Sequence, residues 1–428
     1  MRQWSREAVF ALGCAWAFGA LAQQPASTDP FIKDAVAGFD ARTYYLDQED
    51  KSKSPTTIKE AWAAGGKLYG RTGYWNQTVQ FGASYYFALP LYAPDDRDGT
   101  LLLAPGQESI SVLGEAYMRL KYQSNVLTLG RQEIDMNYKR AAGVRGNRAD
   151  ATYVGKLDNR MVPLTYEAAL LGGQLGESLN YYGGWINRAK LRNSEHFDHT
   201  GTAAGAKGSE SDMWMGGLQF APAKDFWVQG WYHQVSDVIR ISYVDADYVH
   251  RLSDSGYFRL AGQYTDQRSD GSNALTGSAF STHNTQVYGE YGRDWFTLYS
   301  AYSKTGSGAD IRFPFSSGPI YTQQLSRNFV RANESAWQLG IAGTWAPAWT
   351  AYFDITRGRD ATNAGSGARL ADEIEYDVGA VWTFRQKGSF FDGLRTRVRY
   401  GWVYDRASTG DQKATDFRID INLPIKFL

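Results

Sequence analysis

The sequence predicts an all-β fold, a transmembrane antiparallel β-barrel. Three observations predict it: strict two-residue alternation at the end of the chain, a secretory leader at its start, and an aromatic-rich composition with no apolar spanning helix.

The end is the clearest. From Leu394 the chain reads L-R-T-R-V-R-Y-G-W, and from Asp416 it reads D-F-R-I-D-I-N-L-P-I-K-F-L. Leu394, Thr396, Val398, Tyr400 and Trp402 fall on one face; Arg395, Arg397, Arg399 and Gly401 fall on the other. In the second run Phe417, Ile419, Ile421 and Leu423 oppose Arg418, Asp420 and Asn422. Successive strand side chains point to opposite faces, so period two with charge on one side describes a strand between lipid and water. Three arginines on one strand face would be ruinous in a packed core, but they suit a water-filled lumen with a basic wall.

At the start, Arg2 and Arg6 precede an apolar run from Ala8 to Ala22 that closes on Ala20-Leu21-Ala22. This is a secretory signal over residues 1–22, with a mature N-terminus at Gln23. Ala11-Leu12-Gly13-Cys14 resembles a lipoprotein signal, but the apolar run before Cys14 is short for one. Cys14 is the only cysteine. The mature chain therefore has none and is no disulfide scaffold.

No later segment offers the ~20 continuous apolar residues of a spanning helix. A negative mean hydropathy ordinarily describes a soluble chain, yet barrels give the same value because lipid-facing and lumen-facing residues cancel. The aromatic share is 15%, with 28 Tyr and 14 Trp, the residues of the girdles at two membrane interfaces. A carbohydrate-binding β protein is aromatic-rich too. The formal net charge is zero. Removing Arg2, Arg6 and Glu7 with the leader leaves the mature chain near −1. No basic excess supports nucleic-acid binding, and any positive field is local.

From residue 39 onward, alternating runs follow one another between polar or glycine-rich breaks. Val79, Phe81, Ala83, Tyr85 and Phe87 oppose Thr78, Gln80, Gly82, Ser84 and Tyr86. The run before it, 67–75, joins through Asn76-Gln77, a tight hairpin turn. Ala116, Met118, Leu120 and Tyr122 oppose Glu115, Tyr117, Arg119 and Lys121, and Ile374, Tyr376, Val378, Ala380, Trp382 and Phe384 oppose Glu375, Asp377 and Thr383. No linker divides the chain, so residues 23–428 form one barrel domain. A hairpin with one short turn and one longer loop takes about 45 residues, so ~400 mature residues give roughly 16 to 18 strands. Breaks at 94–107, 140–160, 192–212, 267–285, 305–335 and 359–372 are the candidate outer loops. The stretches 130–165 and 305–335 carry aromatics, prolines and arginines, which suits inward-folded constriction loops.

Taken together, the segments resemble the OprD-type outer-membrane carboxylate channels. The resemblance rests on A-R-T-Y-Y at 41–45, R-M-V-P-L-T-Y-E at 160–167 and N-R-A-K-L-R-N-S-E at 187–195. It continues with Y-V-D-A-D-Y at 243–248, G-Q-Y-T-D-Q at 262–267, T-G-S-G-A-D-I-R at 305–312 and F-V-R-A-N-E-S-A-W at 329–337. Each piece is weak alone; together, in order, and ending in the final strand pair, they cover nearly the whole mature chain. The resemblance implies a monomeric barrel of 18 strands, surrounded by outer-membrane lipid and inserted by the barrel-assembly machinery. It implies a narrow pore whose arginine and lysine ladder passes small carboxylates. The middle segments look more like the branch associated with benzoate-like acids than the branch for basic amino acids. Two departures stand out. The chain reads Arg327-Asn328-Phe329 where the family often has an acidic residue, which favours anions over zwitterions. It also ends in Phe427-Leu428 rather than on an aromatic residue.

The candidate pore-lining, substrate-binding cations are Arg42, Arg71, Arg119, Lys121, Arg131, Arg160, Arg397, Arg399 and Arg418. Arg42 matches the family's first strand, and Arg397, Arg399 and Arg418 its last two. Closing the last strand on the first makes Arg418 and Arg42 neighbours across the seam. The competing reading is that these arginines brace the wall by pairing with Asp420, Glu115, Asp377 and Glu375. Tyr44, Tyr86 and Tyr117 are either an aromatic track for a substrate ring or plain lumen filling. Nothing points to catalysis or to a cofactor. His196, His199, His233, His250 and His283 form no set at metal-ligand spacing, and no nucleophile elbow or phosphate loop is present. A general diffusion porin, an outer-membrane lipase and a barrel closed by its loops are the alternatives to a channel for small organic anions.

Overall fold

A computed structural model of the chain describes residues 29–52, 54–135, 152–252, 255–315, 318–345, 348–407 and 410–428. The predicted signal segment 1–22 and residues 140–151 of the predicted 140–160 loop lie outside the described residues.

Among the described residues, eighteen long strands make one sheet. β1 is Val36–Asp50, β2 Thr57–Arg71, β3 Val79–Tyr92, β4 Ile110–Tyr122, β5 Asn125–Gln132 and β6 Thr165–Leu175. β7 is Leu179–Lys190, β8 Met213–Ala223, β9 Phe226–Val235, β10 Ile239–Arg251, β11 Tyr257–Ser269 and β12 Ser281–Arg293. β13 is Phe296–Thr305, β14 Ser335–Trp345, β15 Trp349–Arg359, β16 Asp372–Thr383, β17 Arg395–Ala407 and β18 Gly410–Lys426. Each strand pairs antiparallel with the next, and β18 closes on β1. Closure gives every strand two partners, so no backbone edge is left facing lipid.

The alternation read from the sequence sets the two faces. On β3 Gln80, Ser84 and Tyr86 are buried, whereas Phe81 is exposed on the outer wall. On β18 Asp416, Arg418 and Asp420 are buried between outward-facing Phe417, Ile419 and Ile421. Exposed outward aromatics gather near both ends of the strands. Trp345 stacks on Trp295 at one end, and Trp337 meets Tyr302 at 4.6 Å between centroids at the other. These are the two girdles.

One end of the barrel carries short turns and the other long loops, which marks the periplasmic and outer sides. The turn at Asn76-Gln77 is as expected. Both residues have positive φ, 45° and 59°, and Thr78 N–H donates to Trp75 O at 2.9 Å. This is the primed turn whose twist matches a hairpin. The run 67–75 is not strand throughout, however. β2 stops at Arg71 because Gly73 N–H turns away to Phe31 O at 2.8 Å. On β4 the register with β3 skips Gly114. A Cβ there would stand 2.6 Å from the Tyr86 ring.

The long loops fold inward, as 130–165 and 305–335 predict. Val154 of the β5–β6 loop bridges in parallel to Phe315 of the β13–β14 loop. Tyr166 Oη donates to Gly155 O at 2.7 Å and Phe315 O at 3.1 Å, tying both loops to β6. Tyr153, Val154, Ile311, Phe315 and Ile320 pack against the inner wall of β6 through β10. A second cluster seats Leu102, Leu103, Met161 and Val162 on Tyr44, Leu46 and Ala61 of β1 and β2. The lumen is therefore filled with apolar side chains toward β6–β9, while β10–β12 bring a buried ionic group, Asp247, Arg259 and Glu290, to the inner wall.

Candidate pore

The most exposed positive charge lies at the seam, where the register stacks three rungs across β17, β18 and β1. The lowest runs Arg395, Asn422, Arg42; the next Arg397, Asp420, Tyr44; the third Arg399, Arg418, Leu46. Rungs on one face are two residues apart, about 7 Å along the strands. Asp420 is the hub. Its carboxylate is 2.7 Å from Arg397 Nε, 3.5 Å from Arg399 Nη2 and 3.6 Å from Arg395 Nη2. Arg399 Nη2 also donates to Tyr44 Oη at 2.8 Å. Arg418 donates through Nε to Asp416 Oδ1 at 2.6 Å and through Nη2 to Leu325 O at 2.9 Å.

The register corrects one expectation. Arg42 sits opposite Asn422, whose Oδ1 accepts its Nε–H at 2.6 Å, and Arg418 sits opposite Leu46. The two arginines share a face but stand two rungs apart, with Tyr44 and Asp420 between them.

The inward loops add to this cluster. Arg42 Nη1 donates to Asp158 Oδ1 at 2.6 Å and to the Arg160 carbonyl at 2.5 Å. Arg160 itself donates to Thr100 O at 2.8 Å, and Arg192 Nη1 to Asn159 Oδ1 at 2.5 Å. Burial, with Arg418 and Arg192 close by, lowers the Arg160 pKa to about 9; burial and Arg418 lower that of Arg192 to about 10. Both remain cationic at neutral pH. Burial alone would raise Asp158, but the Arg42 guanidinium outweighs it and holds the carboxyl below its ordinary range. Around the seam, seven guanidiniums (Arg42, Arg160, Arg192, Arg395, Arg397, Arg399 and Arg418) meet three carboxylates (Asp158, Asp416 and Asp420). Among these ten groups positive charge exceeds negative by four, and Asp40, one rung below Arg42, and the acids beside Lys67 and Lys156 offset part of that excess. The side chains of Arg395, Arg397 and Arg42 stay 41%, 24% and 18% exposed, against 7% for Arg418. The first three are the open ones, and Arg418 lies buried behind them.

The bracing reading holds for only some of the expected partners. Asp420 is paired with arginine, but Glu115 takes Lys67, 2.9 Å away. Glu375 and Asp377 hold backbone instead: Ser326 N–H and Arg327 N–H donate to Glu375 at 2.7 and 2.8 Å, and Leu325 N–H to Asp377 at 2.8 Å. They latch the β13–β14 loop to β16. In that loop Asn328 accepts from Gln323 Nε2 at 2.6 Å. The lumen still carries acids near the seam: Glu133, Asp135 and Asp158 of the β5–β6 loop lie among Lys67 and Lys156.

Arg71, Arg119 and Lys121 lie apart from the seam, on the lumen-side register of β2 and β4 at their periplasmic ends. The Arg119 guanidinium lies 4.7 Å over the Tyr117 ring, and Lys121 Nζ 5.5 Å over Tyr74. Among the described residues none of these three cations pairs with a carboxylate. Tyr44 and Tyr86 are buried and fill the wall; Tyr117 is half-buried. Arg131 does not face the lumen. It opposes Ala116 and Glu167 and shares the face of Leu127 and Leu129, which is the lipid-facing one. Sequence reasoning missed Lys67, Asp158 and Arg192. Lys67 shares its strand parity with Arg71 and was within reach; the other two lie in loops where parity carries no information. Among the described residues no group of His, Cys, Asp and Glu is arranged to hold a metal.

Comparison with known proteins places this geometry. The family description "outer membrane porin, OprD family" matches residues 29–427. No curated protein matches the chain. Among solved structures, OpdK of Pseudomonas aeruginosa with vanillate superposes with a TM-score of 0.75 at 19% identity, covering 92% of this chain and 100% of that one. OccK9 (OpdG) of the same organism gives 0.79 at 20% identity, over 93% and 100%. A BenF-like porin of Pseudomonas fluorescens Pf-5 gives 0.79 at 16% identity, over 92% and 100%. These likenesses show the same barrel, and the match over nearly the whole described chain shows the family: the chain belongs to the OprD family of outer-membrane porins, which are substrate-specific channels and not enzymes.

Proposed function

We propose that this porin passes small monocarboxylates, with benzoate-like aromatic acids as the preferred class, along the seam of the barrel. The observation that carries the reading is the cluster of guanidiniums on the seam, with Arg395, Arg397 and Arg42 still exposed. A carboxylate entering a narrow lumen sheds water. Guanidiniums are weakly hydrated, permanently charged and able to bind a carboxylate through two hydrogen bonds, so they replace that water well. Sites one rung apart let the anion pass from one to the next without a deep trap, which a conducting pathway requires. The apolar fill toward β6–β9 leaves this charged wall as the route. The same chemistry is consistent with relatives holding vanillate in OpdK and glucuronate in OccK2 (OpdF), each of which carries one carboxylate. The aromatic preference rests on the likeness of segments such as 187–195 and 243–248 to the benzoate-like branch.

The test is single-channel conductance and reversal potential in a planar bilayer, with benzoate or arginine added. An anion-selective current that benzoate carries or blocks, and arginine does not, is the expected result. A large current indifferent to both would overturn the reading in favour of general diffusion.

A further inference from the structure

On the outer wall, one rung of small residues crosses four strands. Ala37 of β1 opposes Gly70 of β2, which opposes Ala83 of β3, which opposes Ala116 of β4. Larger side chains rise on both sides of it. Leu68, Tyr85 and Leu113 form the rung above, and Phe81 and Met118 the rung below. The result is a trough of about 770 Å³ lined almost wholly by apolar atoms. Three inter-strand steps make it about 14 Å long.

The same rung continues into charge. Ala116 opposes Arg131 of β5, Arg131 opposes Glu167 of β6, and Glu167 opposes Arg188 of β7. Arg131 Nε lies 2.9 Å from Glu167 Oε1, and Arg188 Nε lies 3.9 Å from Glu167 Oε2. Arg131 Nη1 also donates to the carbonyl of Leu113, a trough residue, at 3.3 Å. Because the strands tilt, the rung climbs from the periplasmic end of β1 to the outer ends of β5–β7. A charge facing the bilayer is costly unless it is paired. Here two guanidiniums share one carboxylate; Arg131 also stacks 4.2 Å over the Phe197 ring and Arg188 Nη1 donates to the Phe197 carbonyl at 3.3 Å, while their side chains remain 37% and 42% exposed.

The geometry points to a specific lipid site: a phosphorylated acyl lipid of the outer leaflet lays one chain in the trough and sets its phosphate on the exposed outer faces of Arg131 and Arg188. The trough supplies apolar contact, and the unbalanced guanidinium supplies the countercharge an anionic headgroup needs. The site is independent of the solute pathway, since every residue in it faces away from the lumen.

Native mass spectrometry of the intact barrel, with dimyristoyl phosphatidate or dimyristoyl phosphatidylcholine added, tests this. The unaltered protein should retain one phosphatidate in preference to phosphatidylcholine. The preference should fall about fivefold for each of Arg131→Gln and Arg188→Gln. Ala83→Leu with Ala116→Leu, which fills the trough and leaves the charges, should weaken retention of both lipids. Benzoate conductance should be unchanged in all of these, which shows that the variants fold. Equal retention of the two lipids by the unaltered protein would overturn the proposal. So would phosphatidate retained undiminished by the Arg131→Gln/Arg188→Gln protein or by the trough-filled one.

Discussion

Arg397 and Asp420 face each other on the last two strands, and their 2.7 Å contact places the carboxylate where Arg395 and Arg399 also reach it, at 3.6 and 3.5 Å. One acid thus restrains three of the cations on β17. Removing its charge should strengthen the ladder. A partly exposed ion pair is worth about 0.2–1 kcal/mol, so Asp420→Asn should raise the affinity of benzoate block by up to about fivefold. Concentration-dependent block in a planar bilayer measures it. Weaker block would mean that Asp420 positions the arginines more than it competes with the solute.

Removing the cations works in the opposite direction. Arg397→Ala with Arg399→Ala leaves Arg395 and Arg42 as the exposed guanidiniums of the three rungs. Anion permeability relative to cations, read from the reversal potential in a salt gradient, should fall about tenfold, since each charge-assisted bond to a carboxylate is a strong one. The residual selectivity should weaken further with salt, as screening shortens the reach of the remaining charges.

The loop latch gives a third prediction. Glu375 accepts two backbone N–H groups of the β13–β14 loop, from Ser326 and Arg327. Glu375→Ala deletes both acceptors, each worth about 0.5–1.5 kcal/mol. The loop should become cleavable by added protease between residues 318 and 334, and open-channel noise should rise, while the barrel itself stays heat-resistant on gels.

Acid should release the other loop. Asp158 has its pKa held below the ordinary 3.8 by Arg42, so its contribution is complete above that value and is lost as pH falls through the lower folded pKa. Conductance attributable to this contact should be flat from neutral pH down to about 4 and should change only below it. Asp158→Asn should show the acid behaviour at neutral pH. A transition near pH 6 that vanished in the variant would contradict the assignment.

Much of this was legible because strand parity is a hard rule. The faces of β3, β17 and β18 follow from counting by twos, which assigns the arginines of β17 to the watery side from sequence alone. Parity also held the answer for Arg131, which follows Leu127 and Leu129 at the same spacing and so belongs with them outside. What parity does not give is register. Arg42 and Arg418 lie on the same face of adjacent strands, yet which residues meet depends on how far β18 slides past β1, and that is fixed by the whole circle of hairpins. Nor does it give loop closure. The partner of Arg42 is Asp158, more than a hundred residues away, on a loop held in place by Tyr166 and the Val154–Phe315 bridge. The inward fold of the two loops was readable from their aromatics and prolines, but their contacts were not.

The rungs that carry the positive charge are shared between the first strand and the last two. No contiguous piece of the chain holds them. A nascent chain has Arg42 and Tyr44 long before the arginines of β17, and an unclosed one has no Arg42 beside Asn422 and no Tyr44 beside Asp420. The selectivity surface therefore comes into being only when the circle shuts. An incompletely inserted chain has no weakened version of the pathway to offer, and a channel that discriminates among solutes is, for this protein, also the sign that its assembly is finished.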